Sequence, residues 1–129
     1  MYSRMYVRGI LLKDNQILLE KVTDIYQLPG GIVIDDEYLK DALVRNFKTK
    51  YGLDIKVRRG RVYDYNGTPL EYIYSIHTDS EVIDSHLEWI FLDEFPKIPF
   101  QPSEVRREML KHMPSYEEME DIIFIEKDA

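Results

Sequence analysis

The sequence predicts one mixed α/β layered domain, with strands gathered against helices around a shared core. Three observations lead there. Strand-like runs stand on both sides of one strongly patterned amphipathic helix. A second helical segment follows near the C-terminus. With 129 residues, the chain has room for a single core, so residues 1–129 form one domain. Hydrophobic residues at 44% and charged residues at 32% match a soluble globular chain and exclude a disordered one. No apolar stretch approaches the roughly 18 residues of a membrane span. Cysteine is absent, which excludes a disulfide framework, a thiol nucleophile and a cysteine-based metal site. Met1–Met5 shows no secretory pattern, so a cytoplasmic location is the economical expectation.

Taken in order, Val7 to Leu12 is strand-like, Asp14-Asn15 a turn and Ile17 to Glu20 a second strand. Leu28-Pro29-Gly30-Gly31 reads as sharp punctuation, since proline fixes one dihedral and the glycines free the next. A helix is predicted from about Glu37 to Tyr51, with Leu39, Ala42, Leu43 and Phe47 on one buried face. Asp35, Asp36 and Glu37 suit its positive end, Lys48 and Lys50 its negative end, and Gly52 its stop. Ile55 to Tyr65 and Leu70 to His77 flank Asn66-Gly67-Thr68-Pro69 as a hairpin, and Leu87 to Leu92 is another strand. Ser103 is the expected cap of a helix through Met113, ended by Pro114, and Ser115 with Glu118 has capping-box spacing. Ile122 to Ile125 reads either as a final strand or as a patch for a partner.

Seventeen basic residues against twenty-four acidic ones give a net charge of −7. Such a surface repels phosphate backbones, so nucleic acid is not an expected partner. Lys56, Arg58, Arg59 and Arg61 are a local exception, best read as a solvated strand face. His77, His86 and His112 lack metal-ligand spacing, and Tyr63, Tyr65, Tyr72 and Tyr74 suit packing better than base stacking.

Gly31 to Leu53 resembles the Nudix box, the signature of hydrolases that cleave nucleoside diphosphates linked to another group. Gly31, then five residues to Glu37, then seven more to Arg45, follows that pattern, with Phe47 in the apolar slot and Gly52-Leu53 closing it. The lead-in Leu28-Pro29-Gly30-Gly31 and the later His86-Leu87-Glu88-Trp89-Ile90-Phe91-Leu92-Asp93-Glu94-Phe95 agree with the family as well. The resemblance implies a Nudix-type mixed sheet sandwiched between helices, and pairing of Arg45 with Glu37. It also implies an additional carboxylate near the active site at the position of Glu88.

Three departures alter the functional expectation. Where the family has three carboxylates that hold or orient a divalent ion, usually magnesium, this sequence has Asn46, Thr49 and Lys50. An amide, an alcohol and a cation cannot replace anionic oxygens, and an ammonium repels a dication by several kcal/mol at short range. The expectation is therefore a Nudix-like protein that lacks metal-dependent hydrolysis and needs no cofactor. It would bind a nucleotide-like small molecule or a partner, with Gly30, Gly31, Arg45, Lys50 and Glu88 as the candidate ligand-binding residues. Lys50 would either contact a diphosphate or simply complement the helix C-terminus. Two alternatives stay open. One is a divergent hydrolase using magnesium or manganese on relocated carboxylates such as Glu37, Asp41, Glu88 or the Asp35-Asp36 pair. The other is an interaction module, for instance a homodimer, docking through Tyr116 to Ala129.

Overall fold

A computed structural model describes residues 5–65, 70–112 and 122–125. The chain runs β1 (Tyr6–Ile10), β2 (Leu12–Lys13), β3 (Gln16–Val22), β4 (Ile25–Gln27), β5 (Gly30–Ile32) and α1 (Leu39–Tyr51). It continues with β6 (Lys56–Tyr65), β7 (Leu70–His77), β8 (Leu87–Phe91), a short 3-10 turn (Phe95–Lys97), α2 (Ser103–His112) and β9 (Ile122–Ile125). One sheet has the strand order β5-β1-β7-β6-β9, with β1 and β7 parallel. In the second, β3 is flanked by β8 along one edge and by β2 and β4 along the other.

Ile17, Leu18 and Leu19 are all fully buried, because helices cover both faces of β3. Leu18 belongs to a core under α1 with Val7, Ala42, Leu43 and Phe47. Ile17 and Leu19 point the other way, into a core with Ile10, Ile73, Val105 and Met109 under α2. The side-chain alternation of a strand divides the molecule into these two cores. Tyr72 and Tyr74 pack on the α1 side, as the packing reading expected. Lys56, Arg58 and Arg59 lie exposed on β6.

Several boundaries differ from expectation for local reasons. The Leu28–Gly31 segment is more than punctuation, since Gly30 and Gly31 enter β5 and pair with Arg8 and Val7 of β1. Helix α1 begins at Leu39, because Asp36 takes a left-handed φ of 67° and Glu37 accepts the Ile34 N–H at 3.1 Å. Asp41 is consequently the acidic residue of its first turn. Ser103 is the first residue of α2, and the Pro102 carbonyl accepts the Arg106 N–H at 3.3 Å. Asp14 and Asn15, at φ 52° and 60°, form the expected two-residue turn, whose backbone twist suits a tight hairpin. Strands β6 and β7 pair antiparallel as a hairpin requires, while Asn66-Gly67-Thr68-Pro69 lies outside the described residues. So do Met113 with Pro114, the Ser115/Glu118 capping box and most of the Tyr116 to Ala129 tail. Ile122–Ile125 is a strand of the chain's own sheet, parallel to β6. Among the described residues no helix is long and apolar enough to cross a membrane.

Gly30 and Gly52 are both required, for different reasons. A Cβ at Gly30 would stand 2.0 Å from the Val7 carbonyl oxygen, at a φ of 149° that side chains avoid. At Gly52 a Cβ meets nothing within 4 Å, and only its left-handed φ of 68° favours glycine. Gly30→Ala should therefore lower stability by about 3 kcal/mol or more. Gly52→Ala should cost about 1–2 kcal/mol. Equilibrium urea unfolding of both variants checks this, and equal losses would contradict the account of Gly30.

Candidate functional site

The site is assembled where β5 lies between β1 and the last two turns of α1. Helical spacing brings Asn46 and Lys50 onto the side of α1 that meets this strand. The Gly30 carbonyl accepts a hydrogen bond from Lys50 Nζ at 2.5 Å, and the Gly30 N–H donates to the Tyr51 hydroxyl at 3.1 Å. Both backbone groups of one glycine are thus taken by adjacent side chains of the helix. Gly31 presses against Asn46, whose Oδ1 would lie 2.1 Å from a Cβ there. The buried Asn46 amide donates to the carbonyls of Ile32 at 3.1 Å and Ala42 at 2.9 Å.

Beneath this corner sits Glu20, a buried carboxylate at the end of the apolar run of β3. Its Oε1 accepts from Gln27 at 2.7 Å, and its Oε2 accepts from the Tyr51 hydroxyl at 2.9 Å and faces Lys50 Nζ at 3.4 Å. The Lys50 ammonium also stands 5.2 Å from the centre of the Tyr51 ring. Burial holds the Tyr51 phenol well above its ordinary pKa, and the Glu20 charge adds to that shift. The hydroxyl therefore remains a donor to Glu20 throughout the physiological range. Lys50 is neither fully solvated nor free, for 38% of its side chain is exposed and the rest lies in this network.

Two further ion pairs flank the corner. Arg45 grips Glu37 with two bonds, 2.7 Å from Nε and 3.0 Å from Nη2, and Nη2 also donates to the Ile32 carbonyl at 3.0 Å. This is the partner implied by the resemblance, and the nearby Asp41 is not used. Hydrogen bonding from Arg45 holds the Glu37 carboxyl below its ordinary range. Arg8 pairs with Glu71 at 3.2 Å and donates to the Leu28 carbonyl at 3.1 Å. Burial raises the Glu71 pKa, and the guanidinium opposes that shift. Each of the three cations, Arg8, Arg45 and Lys50, thus faces an internal carboxylate.

The structure brings Gly30 and Lys50 into direct contact, with Gly31 and Arg45 beside them, but it places Glu88 elsewhere. Glu88 pairs in register with Leu19 and accepts the Tyr26 hydroxyl at 2.8 Å, on the α2 side of the sheet. Glu20 faces α1. Thr49 is exposed on α1. Sequence reasoning missed Glu20, Gln27, Tyr51, Arg8 and Glu71. A usable signal existed for Glu20, since it shares strand parity with the core residue Leu18 and a carboxylate there needs a partner.

No protein-family model matches the chain. It is 28% identical to the ADP-ribose pyrophosphatase of Methanocaldococcus jannaschii, across 86% of this chain and 75% of that protein. Among solved structures, an ADP-ribose pyrophosphatase of Streptococcus suis superposes with a TM-score of 0.75 at 20% identity, covering 95% of this chain and 99% of its own. A Nudix hydrolase of Nitrosomonas europaea gives a TM-score of 0.71 at 15% identity, covering 98% and 81%. The chain has the Nudix fold, the mixed α and β architecture that the resemblance implied.

Because the Glu37 pKa is lower folded than unfolded, the Arg45 pair stabilises the fold fully above the ordinary carboxylate range. That contribution is lost as pH falls through the folded pKa. The stability advantage over Arg45→Ala should therefore narrow between about pH 6 and about pH 3. Thermal unfolding of both proteins across that range checks it, and a constant gap would contradict it.

Proposed function

We propose that this Nudix-fold chain has lost metal-dependent pyrophosphate hydrolysis and binds a nucleoside diphosphate-linked small molecule at the Gly30–Lys50 corner. One observation carries the reading: the Lys50 ammonium is seated on the Gly30 carbonyl and against Glu20, at a position where the Nudix box has a carboxylate. A cation held by the protein then stands where the family would use a dissociable one.

The donors present do not fit a magnesium ion, which takes a near-octahedral shell of oxygens. Both Glu20 oxygens already accept hydrogen bonds, from Gln27 and from Tyr51. The Asn46 amide nitrogen faces two carbonyls, and Thr49 offers only a neutral hydroxyl. Lys50 occupies the Gly30 carbonyl and would repel a dication. The relocated-ligand alternative finds little support, since Glu37 is engaged by Arg45 and Glu88 lies on the other face of its sheet.

Binding chemistry is still available. An ammonium has three donors, of which the Gly30 carbonyl takes one, while Glu20 stands 3.4 Å away as an ion-pair partner. A donor left over, on a side chain 38% exposed, suits a phosphate oxygen at the protein surface. ADP-ribose is the first ligand to try, because proteins similar in sequence and in fold are ADP-ribose pyrophosphatases.

Calorimetry with ADP-ribose should give a binding heat that is the same with magnesium as with a chelator. Lys50→Ala should weaken binding about tenfold, equivalent to about 1.4 kcal/mol. No AMP should be released with magnesium or manganese. Turnover that requires either ion would overturn the reading, as would flat traces for ADP-ribose, NAD and nucleoside triphosphates at millimolar concentration. If the scaffold is otherwise intact, Asn46→Glu, Thr49→Glu and Lys50→Glu combined should bring metal-dependent cleavage.

A further inference from the structure

A cavity lies apart from the Gly30–Lys50 corner and shares no residue with it. It is a cleft of about 850 Å³ between the β1–β2 junction, the loop after β7 and strand β8. That size falls within the range of small-molecule sites. Leu11, Leu12, Val82 and Trp89 form its apolar surface, and Lys13, His77 and Asp79 contribute polar edges. Trp89 pairs in register with Leu18 and packs half-buried against the α1-side core, so the ring has a fixed backing. Its indole N–H has no protein hydrogen-bond partner among the described residues, although a partly buried tryptophan usually finds one.

The edge of the cleft is already organised. Thr78 donates to the Asp54 carbonyl at 2.7 Å and accepts the Ser80 N–H at 3.1 Å, while His77 and Asp79 are 2.8 Å apart. A rim ordered before binding lowers the entropic cost of association. Its charges oppose one another, with Lys13 set against Asp79 and Glu81. Nothing there favours a polyanion.

We infer that this cleft binds a planar, uncharged heteroaromatic ring of the nucleobase type, packed on Trp89 with a ring acceptor taking the indole N–H. The phosphate-bearing part of a ligand does not enter it. The inference is independent of the reading of Lys50, because the residues, the ligand chemistry and the readout all differ.

The chain has a single tryptophan, so one indole N–H cross-peak in a nitrogen–proton correlation spectrum reports on this cleft. Titrating the full chain with adenosine should shift that peak saturably at millimolar concentrations. Inorganic pyrophosphate at the same concentrations should leave it in place. Ser80→Arg, an exposed substitution that sets a long side chain at the rim, should abolish the shift while the amide spectrum stays dispersed. An unmoved peak, a shift linear in adenosine, or an equal response to pyrophosphate would overturn the inference. An undiminished shift in folded Ser80→Arg would overturn it too, and if that variant does not fold the wild-type titrations decide.

Discussion

Gly30 lies so close to the backbone of β1 that the placing of β5 beside it depends on the absence of a side chain there. With no room for a Cβ beside the Val7 carbonyl, only glycine lets β5 lie there. Once β5 is in place, its N–H and carbonyl are presented to Tyr51 and Lys50, and Gly31 meets Asn46. The last turns of α1 are thereby fastened to the sheet by polar contacts as well as by the apolar face of the helix. The contacts of Arg45, Asn46, Lys50 and Tyr51 with Gly30 and Ile32 are arranged around that strand.

The electrostatic character of the site follows from burial. A carboxylate such as Glu20 or Glu71, taken out of water, must find compensation within the protein. Glu20 finds it in Gln27, Tyr51 and Lys50, and Glu71 in Arg8. A divalent ion placed here would compete with cations that are covalently part of the chain and already paired with these carboxylates. Hydrolysis through a bound ion asks for surplus negative charge at the site, whereas the observed arrangement is balanced pair by pair. Recognition of a ligand through a held ammonium needs no such surplus.

Much of the architecture was legible in the sequence because it depends on local periodicity. The buried face of α1, its stop at Gly52, the Asp14-Asn15 turn and the pairing of β6 with β7 all follow from spacing and turn chemistry. The box-like pattern pointed to the right fold and to the Arg45–Glu37 pair. Less was legible where a residue's local pattern competed with a longer-range contact. Gly30-Gly31 looked like a break and proved to be a strand, because the decisive neighbour, Val7, lies more than twenty residues away. Asp35 to Glu37 looked like the helix start, yet Glu37 turned back to Ile34 and across to Arg45.

The sequence by itself determined the layered α and β fold and the identity of the groups at positions 46, 49 and 50. Covalent chemistry decides whether a side chain carries an amide, a hydroxyl or an ammonium, and no packing can change that. Only the tertiary structure decided that Lys50 would meet Glu20 and that Glu88 would face away from both. Such contacts join residues far apart in the chain through the stacking of a helix on a sheet and the pairing of distant strands. Their partners are chosen by where the two surfaces meet in space, and no local spacing encodes that.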